Sequence, residues 1–278
     1  MNSTTVRQLL VRGMLAGLAA GVLALLVAYF LGEPQVDAAI AYEDAHASGH
    51  DHGAAEPGAE AEEEAPLVSR DAQATGGLAT GILLYGVAFG GIAALAYCYA
   101  LGRTGRFSPR ATALLLAVAG LVAVYVVPFL KYPANPPAVG ADDSVGRRTT
   151  LYLLMLVLSV LLMVAAVILG KRLAPRLGNW NATVVAAVAL IAAIGLAYAF
   201  LPSVNEMPPD FPPTVVWKFR VAALAVQATL WTAFGLLFGE LAQRLLAPGP
   251  AGSVPATGRD TATDRDTAAV GRGGTAAG

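Results

Sequence analysis

All three histidines of the chain lie within seven positions, in the run Glu43-Asp44-Ala45-His46-Ala47-Ser48-Gly49-His50-Asp51-His52-Gly53. Neutral imidazole ligates borderline divalent metals such as cobalt, nickel, zinc and copper. In a helix, His46 and His50 share a face at i, i+4; in an extended strand, His50 and His52 point the same way. Glu43, Asp44 and Asp51 stand close enough to complete or orient a shell of ligands. Downstream, Glu56, Glu60, Glu62, Glu63 and Glu64 add a field that gathers cations. Gly49 and Gly53 make the segment costly to order. The chemistry expected is therefore weak, exchangeable capture of a metal ion by His46, His50, His52, Asp44, Asp51 and Glu43. The bland alternative is a solvated loop whose imidazoles do nothing.

These residues must be positioned by a very apolar chain. Of 278 residues, 56% are hydrophobic and 13% charged, about half the charged share of an ordinary soluble domain, roughly 25%. A water-soluble globule could not hide that much apolar surface. Six stretches of 18 residues or more are nearly free of charge, at about 9–31, 77–101, 111–130, 151–169, 182–201 and 221–239. Arg12 is the exception, one turn into the first, where its guanidinium can snorkel to the headgroups. Backbone groups in lipid must be satisfied within the segment, so these runs are expected to be helices. The fold class predicted is an all-α integral membrane protein of six transmembrane helices, residues 1–247, with an acidic, His-bearing outer loop at 32–76. The tail 248–278 is poor in large apolar residues and is expected to be disordered.

Lys and Arg set the expected orientation. With the N-terminus inside, twelve fall on the inner side and six on the outer, which by the positive-inside rule puts both termini in the cytoplasm of a cell inner membrane. Fifteen of the nineteen acidic residues then face outward, with the histidines. The apolar part of the first span exceeds the 7–15 residues of a signal peptide, so retention as a helix is expected over cleavage near Ala39-Ile40-Ala41.

Proline and small residues suggest internal order. Val127-Pro128-Phe129-Leu130-Lys131-Tyr132-Pro133 closes the third span and Phe200-Leu201-Pro202 the fifth. Basic residues open the next helix 19 residues after Pro128 (Arg147) and 18 after Pro202 (Arg220). Tyr29-Phe30-Leu31-Gly32-Glu33-Pro34 is a looser third copy, with Arg70 following 36 residues later. Three parallel helical hairpins with an insertion in the first outer loop account for this spacing. Glycines four apart (Gly13, Gly17 and Gly21; Gly77 and Gly81; Gly86 and Gly90; Gly235 and Gly239) place small faces where helix backbones could approach closely.

Several chemistries lack their residues. There is no G-x-x-x-x-G-K-[ST], H-E-x-x-H or G-x-S-x-G, and no carboxylate or histidine at mid-span, so an enzyme is not expected. Cys98 is the single cysteine, which excludes an intramolecular disulfide and multi-cysteine metal sites. No basic patch suits nucleic acid. The weaker candidates for lining a path are Gln227, Tyr85, Tyr125, Ser159, Met155 and Met163, for each of which helix packing is the simpler role.

Over residues 7–244 the chain resembles CbtA, a family of predicted cobalt transporter subunits. The resemblance rests on Gly13, Gly17 and Gly21 in the first span, Tyr42-Glu43-Asp44-Ala45-His46 opening the acidic outer loop, and the proline-rich loops Pro128–Pro137 and Pro202–Pro213. It implies uptake of cobalt, or nickel, as transported substrate with no permanently bound cofactor. It also implies a link to cobalamin synthesis and a small single-span partner subunit with a His-rich end. The partners expected are thus the metal ion, the lipid bilayer and that small protein. A non-transporting membrane scaffold, or an accessory protein that merely binds metal, is the alternative.

Overall fold

The computed structural model describes residues 2–47, 69, 72–105, 107–137, 139, 142–204 and 207–247. Those residues form helices α1 (Ser3–Val27), α2 (Glu33–Ala47), α3 (Leu78–Ala100), α4 (Pro109–Gly120), α5 (Val127–Lys131), α6 (Asp142–Phe200) and α7 (Pro213–Leu246). No strand occurs among them. Local sequence explains the boundaries. Ser108 caps α4 by accepting from the Ala111 N–H at 3.2 Å, with Pro109 in the first turn where its missing N–H costs nothing. Beyond α3, Gly102 takes φ of 75°, a left-handed stop that favours glycine.

Three short π-helical turns join or extend these helices: Ala28–Gly32 between α1 and α2, Gln73–Gly77 before α3, and Leu121–Val126 between α4 and α5. Two of them end two residues before a proline, Pro34 and Pro128. In the second, the Val127 N–H reaches back five residues to the Val122 carbonyl. In that register the donor for the Ala123 carbonyl would be the N–H of residue 128, which proline lacks. The Ser159 hydroxyl, only 1% exposed, donates to the Ala123 carbonyl instead. Ser159 thus completes a proline-broken helix, a role the sequence does not announce.

Two expectations are corrected. Among the described residues five helices, not six, are long and apolar enough to span a membrane: Ser3–His46, Ala74–Ala100, Pro109–Lys131, Gly146–Phe200 and Pro213–Leu246. The expected fourth and fifth spans, 151–169 and 182–201, lie in the same element without an intervening loop. Within α6 the backbone is non-helical at Gly178, with φ 75° and ψ 161°, a region open in practice to glycine. The two arms fold back on each other there: Gly170 lies beside Ala186, and Leu151 and Met155 pack against the cluster of Ile194 and Ala197. The first span also does not end at residue 31. Its helix runs on through the π-turn into α2, so Glu43, Asp44 and His46 stand on a helix rather than in a loop.

The core is built on glycine. A Cβ on Gly17 would lie 2.1 Å from the Gly86 carbonyl oxygen, and one on Gly90 would lie 2.2 Å from that of Gly13, so α1 and α3 meet backbone to backbone, antiparallel. Gly235 and Gly239 let α7 approach Ala117 and Ala113 of α4. Gly81, by contrast, has nothing within 4 Å. Leu9, Ala16, Ala20, Ala94, Tyr97, Leu230, Phe234 and Phe238 fill the space these contacts leave. Leu84, Ile92, Leu161, Val188 and Ile191 remain exposed on the outside, as a lipid-facing surface requires.

Candidate functional site

The two ends of the bundle are chemically different. At one end Arg12 donates to the Leu241 carbonyl at 2.7 Å, Glu240 bridges Arg110 (2.5 Å) and Arg244 (2.8 Å), and Lys171 donates to the Arg103 carbonyl. At the other end α2 and the proline-rich connections converge. Ala39 of α2 packs with Phe211 and Val216, and Tyr42, Met207 and Val139 close over them. Tyr132 donates to the Pro202 carbonyl at 2.8 Å, Lys131 to the Tyr198 carbonyl at 2.9 Å, and Arg148 to the Pro133 carbonyl. Arg220 holds the Ala134 carbonyl (3.2 Å) and the Asn135 side-chain oxygen (3.1 Å). The two proline-rich connections are therefore pinned by cations and phenols donating to carbonyls. Burial raises the Tyr132 phenol above its ordinary range although Arg147 pulls the other way, so it stays a donor.

Of the expected metal ligands, Glu43, Asp44 and His46 lie exposed on the last turns of α2, while His50, Asp51 and His52 lie outside the described residues. Among the described residues no three of His, Cys, Asp or Glu come together as a ligand set. The geometry at His46 is specific nonetheless. Its Nδ1 lies 2.8 Å from the Tyr42 carbonyl oxygen, one turn earlier. A carbonyl only accepts, so Nδ1 carries the hydrogen and, in the neutral ring, Nε2 carries the lone pair. Metal-ligating histidines are commonly oriented through such a bond. The ring also lies over Tyr42 (centroids 3.9 Å apart), and Tyr42 packs edge-on to Phe211 at 4.7 Å. An exposed imidazole is thus tied to the folded body through two aromatic contacts.

Beside this face is a cavity of about 290 Å³ lined by Tyr125, Phe129, Tyr132, Ala134, Val139, Arg148, Thr149, Tyr152 and Leu153. Apart from Tyr125, none of these is among the residues the sequence marks out for a path. The proline-rich segment after Lys131-Tyr132 marks a connection in the sequence, but not that its tyrosine and the Arg148 of the next helix share a cavity. Of the weaker candidates, Met155 is fully buried in a helix contact and Ser159 is spoken for by Ala123. Tyr125 lines the cavity with Tyr152, Tyr85 stacks on Phe89 (6.2 Å between centroids), and the Gln227 oxygen accepts from the Trp231 indole N–H at 3.2 Å.

Residues 6–243 match the sequence profile of a family described as "Probable cobalt transporter subunit (CbtA)". The chain belongs to the CbtA family. The match runs from the first turn of α1 to the last turns of α7, so the whole helical bundle is CbtA. No curated protein and no solved structure matches it. Family membership and the apolar helices together describe a multi-pass membrane protein of a family of probable cobalt transporter subunits.

Proposed function

We propose that this CbtA chain is the subunit through which a divalent transition metal, cobalt before nickel, is taken into the cell. Glu43, Asp44 and His46 on α2, with His50, Asp51 and His52 just beyond, capture the ion at the outer face. The helical bundle then passes it inward. The observation that supports this reading is the exposed His46 ring, which donates from Nδ1 to the Tyr42 carbonyl and so, in the neutral ring, leaves the Nε2 lone pair for a metal ion. Capture is expected to be weak and exchangeable, because a site that must release its ion cannot hold it deeply.

Membership of a subunit family supports a partner; a small single-span protein with a His-rich end would hand metal to the same face. Both termini then lie in the cytoplasm, as the inner-side excess of Lys and Arg requires. The membrane potential drives a divalent cation inward by roughly 2.3 kcal/mol per charge per 100 mV. Radiolabelled cobalt uptake by cells expressing the chain, with and without the His-rich partner, tests the proposal. The His46→Ala, His50→Ala, His52→Ala triple variant should take up cobalt several-fold more slowly at low external metal and near normally at high metal. Unchanged uptake at every concentration would remove the capture step.

A further inference from the structure

The cavity beside the proline-rich connections lies between the end of the span Pro109–Lys131 and the first arm of α6, and its polarity runs in one direction. Arg148 and Thr149 stand within roughly 5 Å of the start of the span Gly146–Phe200, at about 1.5 Å per residue. Tyr152 and Leu153 come one turn deeper, and Tyr125 lies roughly 10 Å below Lys131 on the facing segment. The four α6 residues keep the i, i+1, i+4, i+5 spacing of one helix face. Phe129 (5% exposed) and Tyr132 (3%) form the back wall, and Tyr125 stacks on Phe129 with ring centroids 5.3 Å apart. Thr149 and Leu153 are exposed at the mouth. Below them Val157 and Leu161 follow Leu153 at intervals of four, all exposed, as an apolar ridge toward the middle of the membrane.

Among the lining residues Arg148 alone is charged. Its guanidinium is half-buried and donates to the Pro133 carbonyl, and its planar fork of five N–H donors has more to give than one carbonyl accepts. Arg220 donates to the next carbonyl along, that of Ala134, at 3.2 Å, and Ala134 is itself part of the lining. A second guanidinium therefore stands behind the same wall. Lys131, the neighbour of Tyr132, adds a third cation, fastened to the Tyr198 carbonyl at 2.9 Å. Neutral carbonyls orient these groups without cancelling their charge, and low-dielectric walls focus the field on whatever enters. The Tyr132 hydroxyl is committed to the Pro202 carbonyl, while Thr149, Tyr125 and Tyr152 bring hydroxyls that can donate to an oxyanion. Such a lining repels a cation and suits an anion with an apolar body.

We propose that this cavity binds the phosphate of an anionic phospholipid, held by Arg148 and Thr149, while an acyl chain runs down past Leu153, Val157 and Leu161. The guanidinium fork matches a pair of phosphate oxygens. Phenols one turn deeper belong at the polar boundary of a bilayer. The volume, about 290 Å³, is at the small end of ligand cavities, roughly 300–1,000 Å³. It holds a headgroup and leaves the chains to the ridge outside. A free phosphate ion has the same oxygens and would satisfy the rim alone; the Phe129 and Leu153 walls and the ridge below favour the lipid. None of the expected metal ligands lines the cavity, so the site stands apart from the uptake reading.

Native mass spectrometry of the full chain, delipidated and released from detergent, tests the site. Phosphatidylglycerol should give a one-lipid adduct, and phosphatidylcholine, which carries its own cation beside the phosphate, one several-fold weaker. Arg148→Gln keeps an amide that can donate to the Pro133 carbonyl but removes the charge, and should weaken the phosphatidylglycerol adduct about tenfold. Thr149→Val, at an exposed position where the fold loses little, should weaken it several-fold. Arg176→Gln, exposed near the Gly178 turn, should leave it unchanged. In a second arm, phosphatidylglycerol should raise the melting temperature of the delipidated chain, and inorganic phosphate at the same concentration should not. Equal adducts with the two lipids, or an adduct that neither Arg148→Gln nor Thr149→Val weakens, would overturn the proposal. So would stabilisation by inorganic phosphate that Arg148→Gln abolishes, since the site would then belong to the free ion.

Discussion

Ser159 and Pro128 are 31 positions apart and belong to one hydrogen-bonding problem. Proline removes the donor that the π-register assigns to the Ala123 carbonyl, and a buried hydroxyl from α6 replaces it. Ser159→Ala leaves that carbonyl buried and unmatched, which costs about 1–2 kcal/mol. Thermal unfolding in detergent should show the loss, and Ser159→Thr, which keeps the hydroxyl, should recover much of it. Nothing in the sequence points from serine to proline, because the partnership depends on a π-turn and on how two helices are set against each other. His46 is the opposite case. Its place in a run of histidines and acids is legible in the sequence, but its orientation is not, since the sequence suggests a loop where α2 continues.

Among the elements, the glycine rows were the most legible feature, and only some are used. Spacing of four residues identifies a face, and Gly13, Gly17, Gly86 and Gly90 use that face for backbone contact while Gly81 does not. The two kinds of glycine should respond differently. Gly90→Val drives its side chain into the α1 backbone and should destabilise the fold by at least about 2 kcal/mol. Gly81→Ala meets open space and should be neutral or stabilising by up to about 1 kcal/mol through helix propensity. Equal melting temperatures for the two variants would refute backbone contact between α1 and α3. The extent of the helices was less legible. A proline two residues past Gly32 reads as a helix end, yet the π-turn carries the chain through it into α2.

For the molecule as a whole, the apolar runs foretold an all-helical membrane protein, and the outer and inner connections do gather at opposite ends of the bundle. The proline-rich segments share an end, where cations and phenols hold their carbonyls. Orientation remains a matter of charge. In a Cys98→Ser background, Asp210→Cys should react with an impermeant thiol reagent from outside the cell and Thr104→Cys only after the membrane is opened. The reverse pattern would turn the protein over and take the proposed capture face away from incoming metal. What the sequence does not show is that Tyr132 and Arg148, on either side of a connection, line one cavity with Tyr125 and Tyr152, since that depends on how the helices are set against each other.

The reversal at Gly178 places a demand on the length of the chain on either side of it. One residue turns the α6 arms back, so there is no slack to absorb an added or deleted position. Inserting a single residue between Gly178 and Ala197 would rotate the later arm by about 100°, swinging Ala197 and Tyr198 away from Met155 and Val127. The Tyr198 hydroxyl would lose the Val127 carbonyl, and the Tyr198 carbonyl would lose Lys131. Register in this hairpin is thus kept by arithmetic as much as by side-chain chemistry, and tolerated changes of length should occur as matched pairs in both arms.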